Sequence, residues 1–298
     1  MLRKRLIHIH RMHLLTRNEL RRLLKFDPTL EKIHKLTVND LKNHLAIAYK
    51  KALILHKNLQ SKESQIETIQ VLNKYKVITI VDEDYPSVLK TIKDPPIVLY
   101  TLGYIDLLND YPLLSVIGTR NPSNKGREKV KTIVGPIIQN EWTIVSGMAL
   151  GIDSYAHELA LELHGKTIAV LGSGFEHIYP KRNIDLFQSM SKQGLLITEY
   201  PPHIKPARYH FPERNRIISG LSFGTLVIEA TIKSGTLITV DQALDQGREV
   251  YVVPDSPLVR QAEGCNKLIQ DGATLALTSE DILRDWDLIG HYIFKKIK

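Results

Sequence analysis

The sequence has little of three features that would assign it to a class at once. It contains a single cysteine, Cys265, so no disulfide can form within the chain, and we predict a packed residue rather than a nucleophile. No apolar run approaches the roughly 20 residues that a membrane-spanning helix needs. The start, MLRKRLIHIHRMHLL, has no long apolar segment followed by a small-residue cleavage site, as a signal peptide would. These absences predict a cytoplasmic protein without a membrane span.

Familiar nucleotide-binding and metal-binding signatures are also missing. No Gly-x-Gly-x-x-Gly opens the first predicted strand–helix unit, and no Gly-x-x-x-x-Gly-Lys-Ser/Thr occurs, which disfavours ordinary dinucleotide and ATP sites. Six of the twelve histidines lie in residues 1–76, but none has a zinc-ligand spacing with cysteines or carboxylates. We therefore predict no metal and no cofactor.

Catalytic machinery is equally hard to assemble from the sequence. Asp153, Glu199 and Glu229 lie near predicted strand ends, yet no nucleophile elbow and no recognisable carboxylate pair accompanies them. We expect these acids to fix backbone amides or arginines, and we predict that the protein is not an enzyme.

The charge of the chain is unevenly distributed. Its composition, 43% hydrophobic and 24% charged, is typical of a globular protein. The net charge is +8, but residues 1–76 contain 17 Lys and Arg against 6 Asp and Glu, a net +11, which leaves −3 for the rest. Such a concentration suits a polyanionic partner, although a solvated helical surface explains it equally well.

The chain divides into two regions that differ in their predicted secondary structure. Residues 1–76 contain the helical patterns LTRNELRRLLKF and LTVNDLKNHLAIAYKKAL, which predict a small all-α module. Residues 77–298 form the second predicted domain, in which short apolar runs such as LLSVIG, TIAVLGSG and GTLVIEA alternate with helical stretches. This alternation predicts an α/β domain, an extended Rossmann-like and mostly parallel sheet with helices on both faces. The tail, LTSEDILRDWDLIGHYIFKKIK, predicts one last helix.

Basic and glycine-rich segments follow several predicted strands. Because the carboxyl ends of parallel strands gather at one edge, these segments should converge on a ligand there. Glycine lets main-chain amides approach an anion, arginine offers a fork of donors, and a helix N-terminus favours negative charge. Together they predict a phosphate pocket formed by Gly118, Thr119, Arg120, Gly147, Gly174, Lys181, Arg182, Arg214, Asn215, Arg216, Lys233, Ser234, Gly235 and Thr236.

Aromatic residues are few, at 7% of the chain, and four of them are candidates for stacking on bases: Phe175, Tyr179, Tyr209 and Phe211. For each of them a place in the core is the competing interpretation.

Several of these segments together resemble a known family. SVIGTRNPS, IVSGMALGIDSYAH, VLGSGFEHIYPKRN and FPERNRIISGLSFGTLVIEATIKSGTLITVDQAL look like the DNA-processing protein A family, also called DprA or Smf. The resemblance runs from about Tyr85 to Ala273, and the N-terminal helices agree in character with that family's sterile-alpha-motif-like module. It implies an extended Rossmann-like fold and a homodimer formed through that domain.

The resemblance also implies a function. Members act in natural transformation: they bind and protect incoming single-stranded DNA in competent cells, load the RecA recombinase for DNA recombination, and are not regarded as enzymes. The family's DNA pocket uses the arginine of Gly-Thr-Arg, here Arg120, and the lysine of Lys-Ser-Gly, here Lys233. Lys181 and Arg182, near the Tyr-Pro motif, would extend the surface.

Two other functions remain open at this stage. The glycine-rich loops and GTLVIEA also resemble nucleotide phosphoribohydrolases of the lysine-decarboxylase-like group, in which Arg120 would hold a 5′-phosphate and Glu229 would act at the glycosidic bond. A sensor that binds a small nucleotide as a signal is the third hypothesis.

Overall fold

The N-terminal part of the molecule is helical. A computed structural model describes residues 2–290, and residues 2–74 form α1 (Leu2–Arg11), α2 (Arg17–Phe26), α3 (Val38–Leu45), α4 (Tyr49–Gln60) and α5 (Lys62–Lys74). Two of these helices begin with a capping box, in which a threonine and an acidic residue three positions later satisfy each other's amides. Thr16 and Glu19 form the box of α2, and Thr37 and Asp40 form that of α3.

A nine-stranded sheet and its covering helices follow. The strands are β1 (Lys76–Thr79), β2 (Val98–Gly103), β3 (Leu113–Ile117), β4 (Thr143–Ser146), β5 (Thr167–Leu171), β6 (Leu195–Thr198), β7 (Gly224–Val227), β8 (Glu249–Val252) and β9 (Thr274–Leu275). The helices are α6 (Ser87–Lys90), α7 (Gly126–Gln139), α8 (Ile152–Glu162), α9 (Ile184–Gln193), α10 (His210–Leu221), α11 (Thr236–Asp245), α12 (Glu263–Gln270) and α13 (Glu280–Asp285).

The sheet order is β1-β2-β6-β5-β4-β3-β7-β8-β9. From β6 to β9 every pairing is parallel, whereas β2 runs antiparallel to both β6 and β1. The chain moves outward from β3 through β4 and β5 to β6, then returns to place β7 on the other side of β3. The order therefore reverses between β3 and β7, which in such sheets is where a crevice opens beyond the carboxyl ends of the strands.

Helices cover both faces of the sheet, as predicted. Alternate strand residues point to opposite faces: Leu114 and Val116 pack with α7 and α8, while Leu113 and Ile117 pack with α10 and α11. The strands are apolar at nearly every position because both faces of the sheet are buried. The α/β class and the mostly parallel, Rossmann-like sheet are confirmed.

The helical module shares a core with the sheet. One cluster of buried side chains runs from Leu6, Leu23 and Leu55 of the module to Tyr100 and Leu171 of β2 and β5. The change from helices to strands falls at Lys76, where β1 begins. Division of the chain into domains at this point stays a prediction, since the two parts are packed together through this cluster.

Two local predictions are refined by the structure. The segment predicted as one helical pattern after Thr37 is two helices, because Ala46 ends α3 in the left-handed conformation at φ 51°. The tail helix is present as α13 followed by a π-helical turn, Trp286–Gly290, with Asp281 accepting from the amide of Thr278 at 2.9 Å. The rest of that predicted helix, from 291 to 298, lies outside the described residues.

The buried side chain of His157 should make the free energy of unfolding depend on pH. His157 of α8 has no exposed surface, its Nδ1 lies 2.7 Å from Thr167 Oγ1, and burial, assisted by the charge of Arg214, lowers its pKa from 6.5 to about 3. Because the unfolded chain binds this proton below about pH 6.5 and the folded chain does not until about pH 3, the free energy of unfolding falls through that window. We expect His157 alone to contribute a loss of about 1.5 kcal/mol between pH 6.5 and 5.

Urea unfolding at the two pH values checks this expectation. The His157→Gln variant should lose less stability on acidification than the wild type. His44→Gln, at an exposed ring stacked on Phe26, serves as the control. An unchanged pH dependence in His157→Gln would show that this histidine does not stay neutral in the folded state.

Candidate functional site

A cleft of about 610 Å³ opens where the strand order reverses, beyond the carboxyl ends of β3 and β7. We call it the cationic cleft. Its walls come from the loop after β3, the segment before α11 and the first half of α10. The lining includes eight of the fourteen predicted residues: Gly118, Thr119, Arg120, Arg214, Asn215, Ser234, Gly235 and Thr236.

Arg120 is an exposed cation in this cleft. Its loop is fixed by main-chain bonds, since the Thr119 amide donates to the Glu229 carbonyl at 2.7 Å and the Ile152 amide donates to the Thr119 carbonyl at 3.3 Å. The guanidinium carbon lies 5.8 Å from the ring centroid of Phe211. Among the ion pairs of the described residues none involves Arg120. The guanidinium is therefore held over an aromatic ring with its donors available to an anion.

The opposite wall is the turn that leads into α11. The Ser234 amide donates to the Thr231 carbonyl at 3.0 Å, and Ser234 Oγ both donates to Thr236 Oγ1 at 2.8 Å and accepts from the Thr236 amide at 3.1 Å. A side chain at Gly235 would meet nothing within 4 Å, so the main chain faces open space. This geometry lets an anion approach the start of a helix. Lys233 is exposed beside this wall but is not among the lining residues.

Arg214 contributes to the floor of the cleft, but its side chain is almost entirely buried. Its Nη1 donates to the carbonyl oxygens of Gly147, at 2.6 Å, and Val170. Gly147 is required here, because a Cβ at that position would lie 2.2 Å from Arg214 Nη1. Burial lowers the pKa of Arg214 to about 10, so the group remains charged at neutral pH. Arg214 thus adds positive potential from below while its donors are used by the main chain.

The three candidate acids hold the framework of the site, as the sequence predicts. Asp153 accepts from the amides of Gly147 and Ala149 at 3.2 and 3.4 Å, and burial raises its pKa. Glu199 takes the Arg216 guanidinium in two bonds of 2.8 Å.

Glu229 is the most enclosed of the three. It has no exposed surface, and its carboxylate accepts from the amide and hydroxyl of Ser123, at 2.8 and 2.5 Å, and from Lys129 at 2.7 Å. Each carboxylate oxygen is thus already occupied by the protein itself, and no surface of the group is available to a substrate.

Four predicted basic or glycine residues lie elsewhere. Arg216 does not line the cleft, because its donors are engaged within the protein by a buried pair with Glu199 and a contact with Asp94. Gly174 is needed for packing, since a Cβ there would lie 2.1 Å from the Pro201 carbonyl oxygen. Lys181 and Arg182 are exposed in a 3-10 turn after Pro180 and do not line the cleft.

The structure adds one cation that sequence reasoning does not find. Arg208 is exposed and lines the cleft, although it lies ten positions after the end of β6. The basic residues that follow it in sequence belong to a helix rather than to a strand end, since 210–221 form α10, with Pro212 tolerated in its first turn. An arginine two positions before a helix that begins with His-Phe-Pro is the signal that could have found it.

The four aromatic candidates separate into two groups. Tyr179 and Phe211 line the cleft with ring centroids 5.3 Å apart. Phe175 is a core residue that packs against Tyr75 and Phe187. Tyr209 is exposed and lines a different cleft, beside the helical module.

The fold and the site define a Rossmann-like protein with an open, cationic, partly aromatic cleft at the topological switch point of its sheet. Residues 76–287 match the family model described as DNA recombination-mediator protein A. The chain is 46% identical over 208 residues to the DNA processing protein DprA of Bacillus subtilis, covering 70% of each chain. It is 42% identical over 214 residues to that of Streptococcus pneumoniae, covering 72% of this chain and 75% of the relative. The chain therefore belongs to the DNA processing protein A family, and the predicted resemblance is confirmed.

Solved structures agree with this assignment. The X-ray structure of DNA processing protein A from Streptococcus pneumoniae superposes with a TM-score of 0.80 at 35% identity, covering 91% of this chain and 93% of the other. A structure of the Helicobacter pylori protein, reported for its single-stranded DNA binding mode, superposes with a TM-score of 0.64 at 28% identity, covering 71% and 95%. No helix within residues 2–290 has both the length and the apolarity needed to cross a bilayer.

Proposed function

We propose that the cationic cleft binds the sugar-phosphate backbone of single-stranded DNA without regard to sequence. The observation that carries the proposal is Arg120, an exposed guanidinium that lines the same open cleft as the turn at Ser234 to Thr236. Phosphate oxygens would take the donors of Arg120 and Arg208, and Lys233 would add charge beside the cleft. Affinity then comes mainly from phosphate neutralisation. Bases would stack on the rings of Tyr179 and Phe211.

The biological role proposed is that of a mediator in natural transformation. In this role the protein protects incoming single strands in the cytoplasm, acts as a homodimer through the Rossmann-like domain, and loads the RecA recombinase. Support for the role comes from family membership and from the open form of the cleft, which would let a polymer pass through.

The phosphoribohydrolase alternative is not favoured. It needs a carboxylate that can reach a glycosidic bond, and Glu229 is fully buried with its oxygens bound to Ser123 and Lys129. We therefore propose that the protein binds DNA and has no catalytic activity of its own.

One comparison of ligands tests the function. Fluorescence anisotropy with a single-stranded oligonucleotide, the same sequence as a duplex and a nucleoside monophosphate should give tight, weaker and negligible binding, in that order. Single-strand affinity should fall steeply with salt, by roughly 0.7 logarithmic units per neutralised phosphate for each tenfold increase in concentration. Preferential mononucleotide binding, or release of free base from it at about 1 per second, would refute the proposal.

A further inference from the structure

Four cations surround the turn that joins α3 to α4 in the helical module. Arg22 and Lys25 lie on the second half of α2, Lys42 lies on α3, and Lys50 lies in the first turn of α4. All four are exposed, and none forms an ion pair with a carboxylate of residues 2–290. We call them the hairpin patch.

Contacts between the helices bring these cations onto one surface. Arg22 Nη1 donates to the carbonyl oxygen of Leu45, at the end of α3. One turn further along α2, the ring of Phe26 stacks on His44 with centroids 3.9 Å apart. Side chains three positions apart share a face of a helix, so Lys25 lies beside Arg22 and Lys42 lies beside Leu45, on the two helices joined by the Arg22–Leu45 contact. Lys50 follows directly after the turn.

Acidic groups near the patch are already engaged. Glu19 is bound by Lys51 at 2.6 Å and by the Thr16 amide at 2.7 Å. Asp27 is buried and accepts from the amides of Glu31 and Ile33 at 3.2 and 2.9 Å. Because Glu19 and Asp27 are bound elsewhere, these two acids do not neutralise the patch. Its positive charge therefore fits a polyanionic partner.

A second cleft is lined by residues that neighbour the hairpin patch and the cationic cleft in the chain. It has a volume of about 450 Å³, lies between the module and the sheet, and is lined by Lys51, Asn18 and Tyr209 among others. Tyr209 stands in the chain between Arg208 and Phe211, which line the cationic cleft. Lys51 directly follows Lys50 of the patch, and Tyr209 directly follows Arg208 of the cationic cleft, so the second cleft is adjacent in the chain to both surfaces.

The second cleft offers no net repulsion to a passing phosphate chain. Its three carboxylates are matched by three guanidinium groups at distances of 2.6 to 3.5 Å: Asp94, Glu199 and Glu213 pair with Arg17, Arg21 and Arg216. A strand that leaves the cationic cleft would cross a balanced surface before it reaches the exposed lysines.

We propose that single-stranded DNA bound in the cationic cleft continues past Tyr209 and onto the hairpin patch, where Lys25, Lys42 and Lys50 contact its phosphates. This inference rests on the proposed function and extends it: the helical module becomes part of the DNA site, and affinity increases with strand length until the patch is reached.

The test uses the full-length chain and two oligothymidylates, one of about 6 nucleotides that fills the cationic cleft and one of about 30 nucleotides that reaches the patch. The variant Lys25→Glu/Lys42→Glu/Lys50→Glu should bind the long strand at least about tenfold more weakly. Its salt slope should be lower by roughly 2, because each phosphate that the protein neutralises contributes roughly 0.7 to the slope. Binding of the short strand should not change.

A matched control keeps the same change in charge. Lys32→Glu/Lys35→Glu/Lys57→Glu reverses three exposed lysines near the other end of α4 and should bind both strands as the wild type does. If the hairpin-patch variant binds the long strand like the wild type, or no more weakly than the control variant, the extension onto the module is wrong. The proposed function is tested separately, by wild-type binding of the short strand and its weakening in Arg120→Glu.

Discussion

The Arg120→Glu variant is expected to bind single-stranded DNA at least about tenfold more weakly than the wild type at about 0.1 M salt. The substitution replaces an exposed guanidinium in the cationic cleft with a carboxylate that repels phosphate. Because Arg120 is exposed and is placed by main-chain bonds of its neighbours, the fold should not change. The slope of affinity against salt should fall by roughly 0.7 for each phosphate that the variant no longer neutralises.

Two further variants sharpen this experiment. Lys233→Glu should act in the same direction and lower the salt slope by a similar amount, since Lys233 is exposed beside the same wall of the cleft. Lys131→Glu makes the same change of charge on α7, outside the cleft lining, and should have no effect beyond general electrostatics. Wild-type affinity in both Arg120→Glu and Lys233→Glu at several salt concentrations would show that DNA does not bind in this cleft.

The Glu229→Ala variant should lower the free energy of unfolding by about 3 to 5 kcal/mol. It removes a fully buried carboxylate and leaves the ammonium of Lys129 with Asp255 as its remaining acidic partner, at 2.5 Å. It also leaves the amide and hydroxyl of Ser123 without their acceptor. Buried polar groups that lose their partners cost far more than the same groups at the surface.

Urea denaturation at pH 7 measures the effect. Glu229→Gln keeps an acceptor for Ser123 and should be less destabilised, and Asp255→Asn, at a partly exposed group, should be milder still. A Glu229→Ala protein as stable as the wild type would mean that this carboxylate does not hold the β3 loop, and its availability for catalysis would have to be reconsidered.

The strands and the position of the cleft could be predicted because both depend on local signals. Runs such as LLSVIG and TIAVLGSG are apolar on nearly every residue that the sheet buries, and the loops that follow them must meet at one edge. Gly118 to Arg120 and Ser234 to Thr236 line one cleft for that reason.

What the sequence could not supply was the choice of partners among charged residues. Arg120 and Arg216 look alike in sequence, yet Arg120 is exposed in the loop after β3, whereas Arg216 lies on a buried face of α10 and pairs with Glu199. Arg208 escapes sequence reasoning because it lies far along the chain from the strand end whose cleft it lines.

The helical module shows the same limitation. Its excess of positive charge is visible in composition, but Arg11 and Arg17 are paired with acids, while Lys25 and Lys50 are exposed and form no ion pair within residues 2–290. Pairing depends on which helices pack together, and only the structure separates structural cations from those available to a ligand.

The central claim is that the carboxyl edge of the sheet, between β3 and β7, receives the phosphates of an unpaired strand. A crystal structure of the protein with an oligothymidylate tests it most directly. The account predicts a phosphate within hydrogen-bond distance of the Arg120 guanidinium and a neighbouring phosphate against the turn at Ser234 to Thr236. DNA bound on another surface, with the cationic cleft empty, would contradict it.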